Sequence, residues 1–295
     1  MIETNGTERT RSLWDPVPVE AGTLYRATIA GAYILIERQA DAWRLASGSA
    51  GRDEDESPLG AVQPPAAGDE SGDAAGDAAG DAAGDAAGSG AGEPAWERWI
   101  AGEEAALARL VPVLPDRSVI VKPLDPTRIP AGRRMELMVG LPLWIRVVVG
   151  EPPGLVLREV PTAVLSNTWL GDTTEGELCY SLGAEGSPPG TEGPPGTVAC
   201  TVRVRNMSQQ ELDLKRVRLP VANLAVFRSE SGLWTNTVEL LFQGDAQMAR
   251  IEIGDTPPEA AGACARISEP RTAPDRSLVG RSFQALRMIT GMEGV

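Results

Sequence analysis

Three acidic side chains lie close enough in the sequence to do acid–base chemistry together: Asp172, Glu175 and Glu177. Paired carboxylates can serve as general acid and base in hydrolysis, or can hold a magnesium ion together with water. The same mixture of acids, threonine and glycine is also typical of a polar turn that opens a strand. We favour the turn, because the segment brings no partner base and no group that could clamp a substrate. A divalent-metal-assisted hydrolase or lyase that uses these three acids stays as the alternative.

Basic side chains form a second candidate site, for binding: Arg203, Arg205, Arg216 and Arg218. Arg203 and Arg205 share one face of a strand, opposite a row of valines. Guanidinium groups at these positions could bind a carboxylate, a phosphate or an anionic lipid surface. We favour a simpler interpretation, in which the arginines lie on the solvated face of a half-buried sheet and pair with Glu211 and Asp213.

Tryptophan side chains offer a third kind of site, because indole rings can stack on flat apolar surfaces such as those of sugars. The candidate platforms are Trp96, Trp99, Trp169 and Trp234. A carbohydrate-binding module is therefore a further alternative, which an exposed planar row of these rings would favour.

Three cysteines, Cys179, Cys200 and Cys264, have no spacing typical of a structural zinc site. Cys200 belongs to the apolar face of its strand, whereas Leu178 and Tyr180 direct Cys179 away from the apolar face of its own strand. Burying both apolar sets together separates the two sulfur atoms. We predict that Cys179 and Cys200 are unpaired thiols, one of them buried.

The chain has no histidine at any position. This excludes Ser-His-Asp and Cys-His catalysis, zinc or iron bound by histidine, and imidazole as a general acid or base. The sequence also lacks the glycine-rich loops that hold nucleotide phosphates. We therefore predict no cofactor and no metal site, and we lean against an enzyme.

Most of the net charge of −14 lies in one segment. Residues 47–93 hold eleven acids and one base, a net of −10, which leaves −4 for the rest of the chain. The unit Gly-Asp-Ala-Ala occurs four times from Gly72 to Ala87, where a helix would stack like charges and carry a glycine in every turn. Few large apolar side chains are present, so we predict a disordered acidic insert at 51–94. No basic stripe that could bind nucleic acid is present.

Nothing in the sequence predicts insertion into a membrane. No run of apolar residues approaches the roughly 18 that a membrane span needs, and the first residues have no apolar core that could serve as a signal peptide. The cysteines do not have the spacing of a secreted disulfide framework. We expect a cytosolic, that is cytoplasmic, protein.

Short runs of β-branched and aromatic residues, separated by turn residues, predict many strands. The clearest is 135–147, in which every odd-numbered residue is apolar, so that one face of a strand is buried. Gly140 and Pro142 in its middle predict a bend and an edge position. Only 95–110 and 282–289 are candidate helices. The predicted fold is all-β, an antiparallel β-sandwich with a long disordered acidic insert.

Four segments organise the chain: an N-terminal β meander at 1–50, the insert at 51–94, the main β-sandwich domain at 95–262, and a C-terminal tail at 263–295 with at most one short helix or strand. A meander of about three strands is marginal alone in water. Its apolar side chains need cover from the main domain. We therefore predict that both β-rich parts form one packed unit.

Several strand patterns occur in a recognisable order along the chain. They are a meander that ends in Trp43, the segments Leu110–Pro115 and Val119–Pro123, the segment Leu141–Val147, the step Gly176–Tyr180, and the strand end Val202–Ser208. Together they resemble an uncharacterised prokaryotic family, domain of unknown function four-three-two, over about two-thirds of the chain. The resemblance implies the fold and no established activity. It also implies an association with genes for mechanosensitive channels.

The sequence has a well-patterned sheet core and lacks a catalytic set of residues. Together these features favour a non-enzymatic cytosolic β-sandwich that binds or scaffolds another macromolecule, and a protein is the partner we expect. An accessory role beside a membrane channel rests on the family association alone. The sequence specifies no oligomeric state.

Overall fold

The structure is a computed structural model that describes residues 12–51, 54–62, 94–102, 105–171, 176–184, 196–244, 249–273 and 278–280. The chain is nearly all β in these ranges, with two short 3-10 turns at Val221–Asn223 and Glu259–Ala261. The predicted all-β class is confirmed. Within the same ranges, no helix is long and apolar enough to cross a membrane.

The strands are short and follow one another closely along the chain. The first twelve are β1 (Val17–Pro18), β2 (Leu24–Ile29), β3 (Ala32–Arg38), β4 (Ala42–Ser49), β5 (Ser57–Val62), β6 (Glu97–Ile100), β7 (Leu107–Val113), β8 (Val119–Lys122), β9 (Thr127–Ile129), β10 (Arg134–Pro142), β11 (Trp144–Val149) and β12 (Leu155–Pro161). The others are β13 (Ser166–Leu170), β14 (Glu177–Ala184), β15 (Thr197–Asn206), β16 (Leu212–Leu214), β17 (Val217–Leu219), β18 (Val226–Ser229), β19 (Gly232–Thr235), β20 (Val238–Phe242), β21 (Ala249–Ile253), β22 (Ala265–Ser268) and β23 (Leu278–Gly280).

These strands form several sheets in which most pairs are antiparallel. The N-terminal sheet has the order β5-β2-β3-β4-β6, and a second sheet, the junction sheet, has the order β1-β7-β11-β12. The hairpin sheet has the order β13-β14-β8-β17. The large sheet runs β22-β18-β19-β15-β20-β21-β23, with β10 also paired to β15, while β9 and β16 form a two-stranded ribbon. Parallel pairs join β14 to β8, and β15 to both β19 and β20.

One continuous apolar core joins the sheets. It includes Ile34 and Trp43 from the N-terminal sheet, Leu110 and Ile145 from the junction sheet, and Val202 from the large sheet. Each of these side chains is nearly inaccessible to solvent. Burying an aliphatic side chain of this size contributes about 1.5–3 kcal/mol relative to leaving it exposed. The N-terminal strands and the strands after the insert therefore bury their apolar faces in the same core.

The predicted strand at 135–147 is two strands in different sheets. β10 ends at Pro142, β11 begins at Trp144, and Leu143 between them is buried. β10 pairs with β15 alone among the described strands, whereas β11 lies between β7 and β12. The odd-numbered side chains from 137 to 147 are buried, as the alternation predicts. The bend near Pro142 is thus the place where the chain crosses between two sheets.

Part of the predicted disordered insert is a strand. β5 pairs with β2, and Leu59 at its centre is buried. Just before it, Glu54 accepts a hydrogen bond from Oγ1 of Thr28 at 3.3 Å, and Glu56 accepts one from the backbone N–H of Ala30 at 3.1 Å. The prediction over 51–94 is wrong at β5, because it weighed composition and not the open edge of β2. Residues 63–93 of the predicted insert lie outside the described ranges.

The sheets also do not divide at residue 95. β6 pairs with β4 and sets Trp99 opposite Trp43, so it completes the N-terminal sheet, while β1 pairs with β7 in the junction sheet. The candidate helix at 95–110 is wrong, since β6 and the start of β7 occupy it. The candidate helix at 282–289 lies outside the described residues. β22 and β23 of the predicted tail belong to the large sheet.

Ile145 tests the alternation in β11. We expect Ile145→Asp to lower the free energy of unfolding by about 4 kcal/mol or more, because it buries an unpaired charge. Leu155→Asp is the matched control, since Leu155 is 47% exposed on the neighbouring strand β12. Urea unfolding of both variants measures the difference. Equal effects at the two positions would contradict the assignment of the buried face.

The shared core is tested by removing the N-terminal sheet. We expect residues 96–295 expressed alone to fail to unfold cooperatively as a monomer, because the apolar face that covered the missing strands becomes exposed. Deletion of Ala67–Ser89 from the full chain is the control, and it should leave the melting temperature nearly unchanged, because it spares β5 and β6. A soluble, monomeric 96–295 fragment that melts like the intact protein would show that the two parts are independent.

Candidate binding cleft

A cleft of about 400 Å³ opens where the N-terminal sheet and the junction sheet separate. Its lining comes from the end of β4 and the β2–β3 turn on one side, and from β11, the end of β12 and the segment 162–165 on the other. Tyr180 of β14 closes a third side. We call this the junction cleft.

Small side chains form the wall that the N-terminal sheet contributes. Trp43 and Leu45 of β4 are buried in the core, and the next residues on the same face are Ser47 and Ser49, which line the cleft. Ala32, directly opposite Ser49 on β3, is also small. Neither serine side chain makes a hydrogen bond among the described residues, so both hydroxyl groups are available to a ligand. The cleft exists because the inner face of β3 and β4 changes here from large to small side chains.

The β2–β3 turn at the rim is tight. Ala30 and Gly31 have φ angles of 52° and 75°, as in a two-residue hairpin turn. A Cβ atom added to Gly196, at the start of β15, would overlap the Cβ atom of Ala30. Glycine at position 196 therefore lets the backbone at this point contact the turn directly.

Two aromatic rings form the opposite wall. The ring centroids of Trp144 and Tyr180 are 6.1 Å apart, with an interplanar angle of 55°. The guanidinium of Arg271 lies 5.6 Å from the centre of the Trp144 ring, and that of Arg117 lies 5.5 Å from the Tyr180 ring. Such cation–π contacts hold each ring in place. The Nε1 atom of Trp144 is buried and has no hydrogen-bond partner among the described residues.

The Tyr180 hydroxyl donates a hydrogen bond to Oδ1 of Asp116 at 2.9 Å. Burial raises the pKa of Tyr180, and the hydrogen bond to Asp116 and the charge of that carboxylate raise it further. The phenol therefore stays protonated at neutral pH and acts at the cleft as a neutral aromatic group.

An ion-pair cluster lies behind Trp144. Glu159 accepts hydrogen bonds from Nη1 of Arg271 at 2.8 Å and from Nε of Arg146 at 2.9 Å. Arg271 also approaches the second Glu159 oxygen at 2.6 Å and donates from Nε to the carbonyl of Leu114 at 2.7 Å. Burial alone would raise the pKa of Glu159, but hydrogen bonds and positive charge from the two arginines outweigh it and lower the pKa. This cluster ties the segment after β22 to the strand that carries Trp144.

Apolar side chains continue from the cleft onto the outer surface. Val164 at the rim is fully exposed, and Trp169 and Leu178, directly opposite each other on β13 and β14, are 48% and 40% exposed. Leu178 and Tyr180 lie on the same face of β14. Among the described strands β13 pairs with β14 alone, so its other edge is open. We call Val164, Trp169 and Leu178 the apolar strip.

Of the three acids singled out in the sequence, Asp172 and Glu175 lie outside the described residues. Glu177 accepts a hydrogen bond from Oγ of Ser118 at 2.7 Å and forms an ion pair with Arg218 at 2.7 Å. Its charge is therefore compensated within the protein. No group of three or more described acids, cysteines or histidines is placed to hold a metal ion.

The four arginines of the second candidate site lie in different places. Arg203 and Arg205 are on β15, and Nε of Arg203 donates to Glu136 on β10 at 2.7 Å. Arg218 is on β17 in the hairpin sheet, and Arg216 just precedes it. Of the expected acidic partners, Asp213 pairs with Lys215, which lies beside the arginines, at 3.2 Å, and Glu211 pairs with Arg128 at 3.3 Å.

The four tryptophans proposed as sugar platforms do not form one exposed row. Trp234 is buried in a small cluster with Phe227, and its Nε1 atom donates to Oγ of Ser231 at 3.1 Å. Trp96 lies 4.4 Å beneath the guanidinium of Arg44, and Trp99 is half-buried opposite Trp43. Trp169 belongs to the apolar strip.

All three thiols are free, as predicted for Cys179 and Cys200. Those two lie in different sheets, and both are buried. Burial raises the pKa of Cys179 to about 11, helped by the charge of Glu177, and raises the pKa of Cys200 to about 12. Neither thiol forms a nucleophilic thiolate at neutral pH.

The residue range 13–289 matches the family described as protein of unknown function DUF432. The chain belongs to this family. The resemblance expected from the strand patterns is thereby confirmed. No curated protein and no solved structure matches the chain.

The sequence patterns did not indicate the cleft residues of this DUF432 member. Trp144 stands in the clearest strand run, but its partner Tyr180 is on another sheet and Arg271 is far along the chain. The sequence contained one indication of the cleft, which is the position of Trp144. This residue lies between two inward-facing residues of the alternating run, so the alternation places its large aromatic ring on the outer face.

A substitution of Glu159 tests the ion-pair cluster behind Trp144. Because its pKa is lowered in the folded protein, its ion pairs stabilise the fold above its ordinary pKa of 4.5 and are lost as pH falls below that value. We expect Glu159→Gln to lower the free energy of unfolding at pH 7 by about 1–3 kcal/mol. Urea unfolding from pH 7 to pH 3 should show the wild type and the variant converging at acid pH. A difference that stays constant with pH would contradict the role of the charge.

Thiol burial is tested by labelling. At pH 8 we expect Cys179 and Cys200 to react with a disulfide reagent only after unfolding, because both thiols are buried and protonated. The half-buried Cys264 serves as the internal reference. Mass spectrometry of the labelled native protein identifies the sites, and rapid labelling of Cys200 would contradict its position in the core.

Proposed function

We propose that this DUF432 protein is a non-enzymatic binding protein of the cytoplasm, and that it holds an apolar segment of a protein partner. The binding surface in this proposal is the junction cleft together with the apolar strip. The observation that carries the proposal is the continuity of the two features, because a concave aromatic site leads directly onto exposed apolar side chains at an open strand edge.

The chemistry of this surface supports a protein partner. Single exposed apolar residues are ordinary, but a group of them beside a pocket marks an interaction site. Tryptophan and tyrosine contribute most to the affinity of protein interfaces, and Trp144, Tyr180 and Trp169 supply them here. The hydroxyl groups of Ser47 and Ser49 supply polar contacts that could orient the bound segment. The family association with channel genes makes the cytoplasmic part of a channel one partner to test.

Binding is favoured over catalysis because the charged groups near the cleft already have partners. Glu159 is held by two arginines, and Asp116 accepts the hydrogen bond of Tyr180. A general acid or base needs a proton that it can exchange with a substrate. The hydrolase alternative depends on Glu177 together with Asp172 and Glu175. Binding of Mg²⁺ or Mn²⁺ that is lost in Glu177→Gln, measured by calorimetry, would favour that alternative.

Two variants test the proposal at the cleft and on the strip. Ser49→Trp fills the cleft from an exposed position, and Trp169→Ala removes the largest ring of the strip. In this test, partners are captured from native extract with the wild type, and the affinity of the purified partner for each variant is then measured. Loss of a central tryptophan contact should weaken binding about thirty-fold.

Leu124→Ala is the matched control, because Leu124 is 58% exposed and is not part of the cleft or the strip. Its affinity for the partner should equal that of the wild type. A captured partner that binds Ser49→Trp and Trp169→Ala as tightly as the control would assign the interaction to another surface and refute the proposal.

A further inference from the structure

Three arginines at one end of β10 and β15 differ from the others in the described part of the chain. The side chains of Arg133, Arg134 and Arg205 make no hydrogen bond, ion pair or ring contact with a described residue, whereas the side chains of the other described arginines do. Arg134 and Arg205 are exposed and stand directly opposite each other on the two paired strands. Arg133 immediately precedes β10 and is also exposed.

Neighbouring positions on the same face show that this lack of partners is specific. At the next pair of residues on the same face of β10 and β15, Arg203 stands opposite Glu136 and donates a hydrogen bond to it at 2.7 Å. On β21, Arg250 pairs with Glu252 at 3.0 Å. Like charges directly opposite each other in a sheet destabilise it, so the Arg134–Arg205 pair is unfavourable unless an anion neutralises it.

A surface depression of about 530 Å³ lies beside Arg134. Its lining consists of Arg134, Met135, Glu136, Arg203 and Glu239, and Arg205 stands opposite Arg134 on the neighbouring strand. Glu136 is already neutralised by Arg203, and the side chain of Glu239, directly opposite Arg203 on β20, makes no hydrogen bond with a described residue. The site therefore offers guanidinium groups to an anion and one carboxylate that can accept a hydrogen bond from a hydroxyl group.

We infer that Arg134 and Arg205, with Arg133 beside them, bind a phosphoryl group that is attached to a small hydroxyl-bearing group. Guanidinium forks match the oxygen geometry of phosphate, and two of them can hold a dianion that a single surface arginine cannot. The carboxylate of Glu239 repels a second anionic group and can accept a hydrogen bond from a hydroxyl, which favours a single phosphomonoester group over a polyanion. The site is separate from the junction cleft, because the two share no lining residue and Arg134 and Trp144 lie on strands of different sheets.

Glycerol 3-phosphate and inorganic phosphate are the soluble probes, compared with chloride at equal ionic strength. A ligand that binds only the folded state raises the melting temperature. We expect both probes to raise the melting temperature of the wild type, and we expect glycerol 3-phosphate to raise it more than inorganic phosphate does. Vesicles of phosphatidylcholine with phosphatidic acid form the second arm. Co-sedimentation with these vesicles, without a response to the soluble probes, would assign the phosphoryl group to a lipid headgroup.

Four variants separate the site from general charge effects. Arg134→Gln and Arg205→Gln should weaken binding about ten-fold, and in phosphate-free buffer they should melt no lower than the wild type, because the like-charge pair is removed. Arg250→Gln is the control, since Arg250 lies on the same sheet and has a partner, and its response to the probes should be unchanged. Arg205→Lys keeps the positive charge but lacks the planar guanidinium group, so it should bind the probes better than Arg205→Gln and less well than the wild type.

The inference falls if the wild type responds to neither the soluble probes nor the vesicles. It also falls if Arg134→Gln and Arg205→Gln retain the full response. Because Ser49→Trp leaves these arginines untouched, loss of partner binding in that variant and loss of phosphate binding in the arginine variants are independent results.

Discussion

The inner face of the N-terminal sheet has to be covered by other sheets, because a few short strands with one apolar face are not stable alone in water. Ile29, Ile34, Ile36 and Leu45 supply that face and are almost completely buried. At about 1.5–3 kcal/mol each, their burial outweighs the ion pairs, which are mostly exposed and contribute about 0–1 kcal/mol each. The chain meets this requirement by interleaving its sheets, with β1 in the junction sheet and β6 in the N-terminal sheet.

The junction cleft is a consequence of the same packing. Two twisted sheets stay in contact only as far as large side chains fill the space between them. On β4 that filling ends after Leu45, where Ser47 and Ser49 take over the inner face. On the other side Trp144 is not free to fill the gap, because Arg271 holds its ring and is itself fixed by Glu159 and the carbonyl of Leu114. The opening is therefore set by small side chains on one wall and, on the other, by the ring of Trp144, which identifiable contacts hold in place.

Side-chain direction could be predicted from the sequence, but strand pairing could not. Alternation is a local property, so it placed Ile145 in the core and separated Cys179 from Cys200. β5 was missed because Pro58 and Gly60 resemble breaks until the open edge of β2 is known. The candidate sites depend on register over long separations. Glu177 meets Arg218 forty-one positions away, and no spacing in the sequence indicates that ion pair.

Two places depart from their surroundings. Other large apolar side chains are exposed too, among them Ile100, Leu124 and Leu155, but Trp169 and Leu178 are exposed directly opposite each other beside the junction cleft. Most described arginines have a partner, whereas Arg134 faces Arg205. Exposed apolar groups favour aggregation, and opposed like charges lower stability. A sequence that is otherwise consistent with its structure tends to keep such departures at functional sites. The two departures also differ in chemistry, one aromatic and one cationic, so the protein segment proposed for the strip and the phosphoryl group proposed for the arginines are separate ligands.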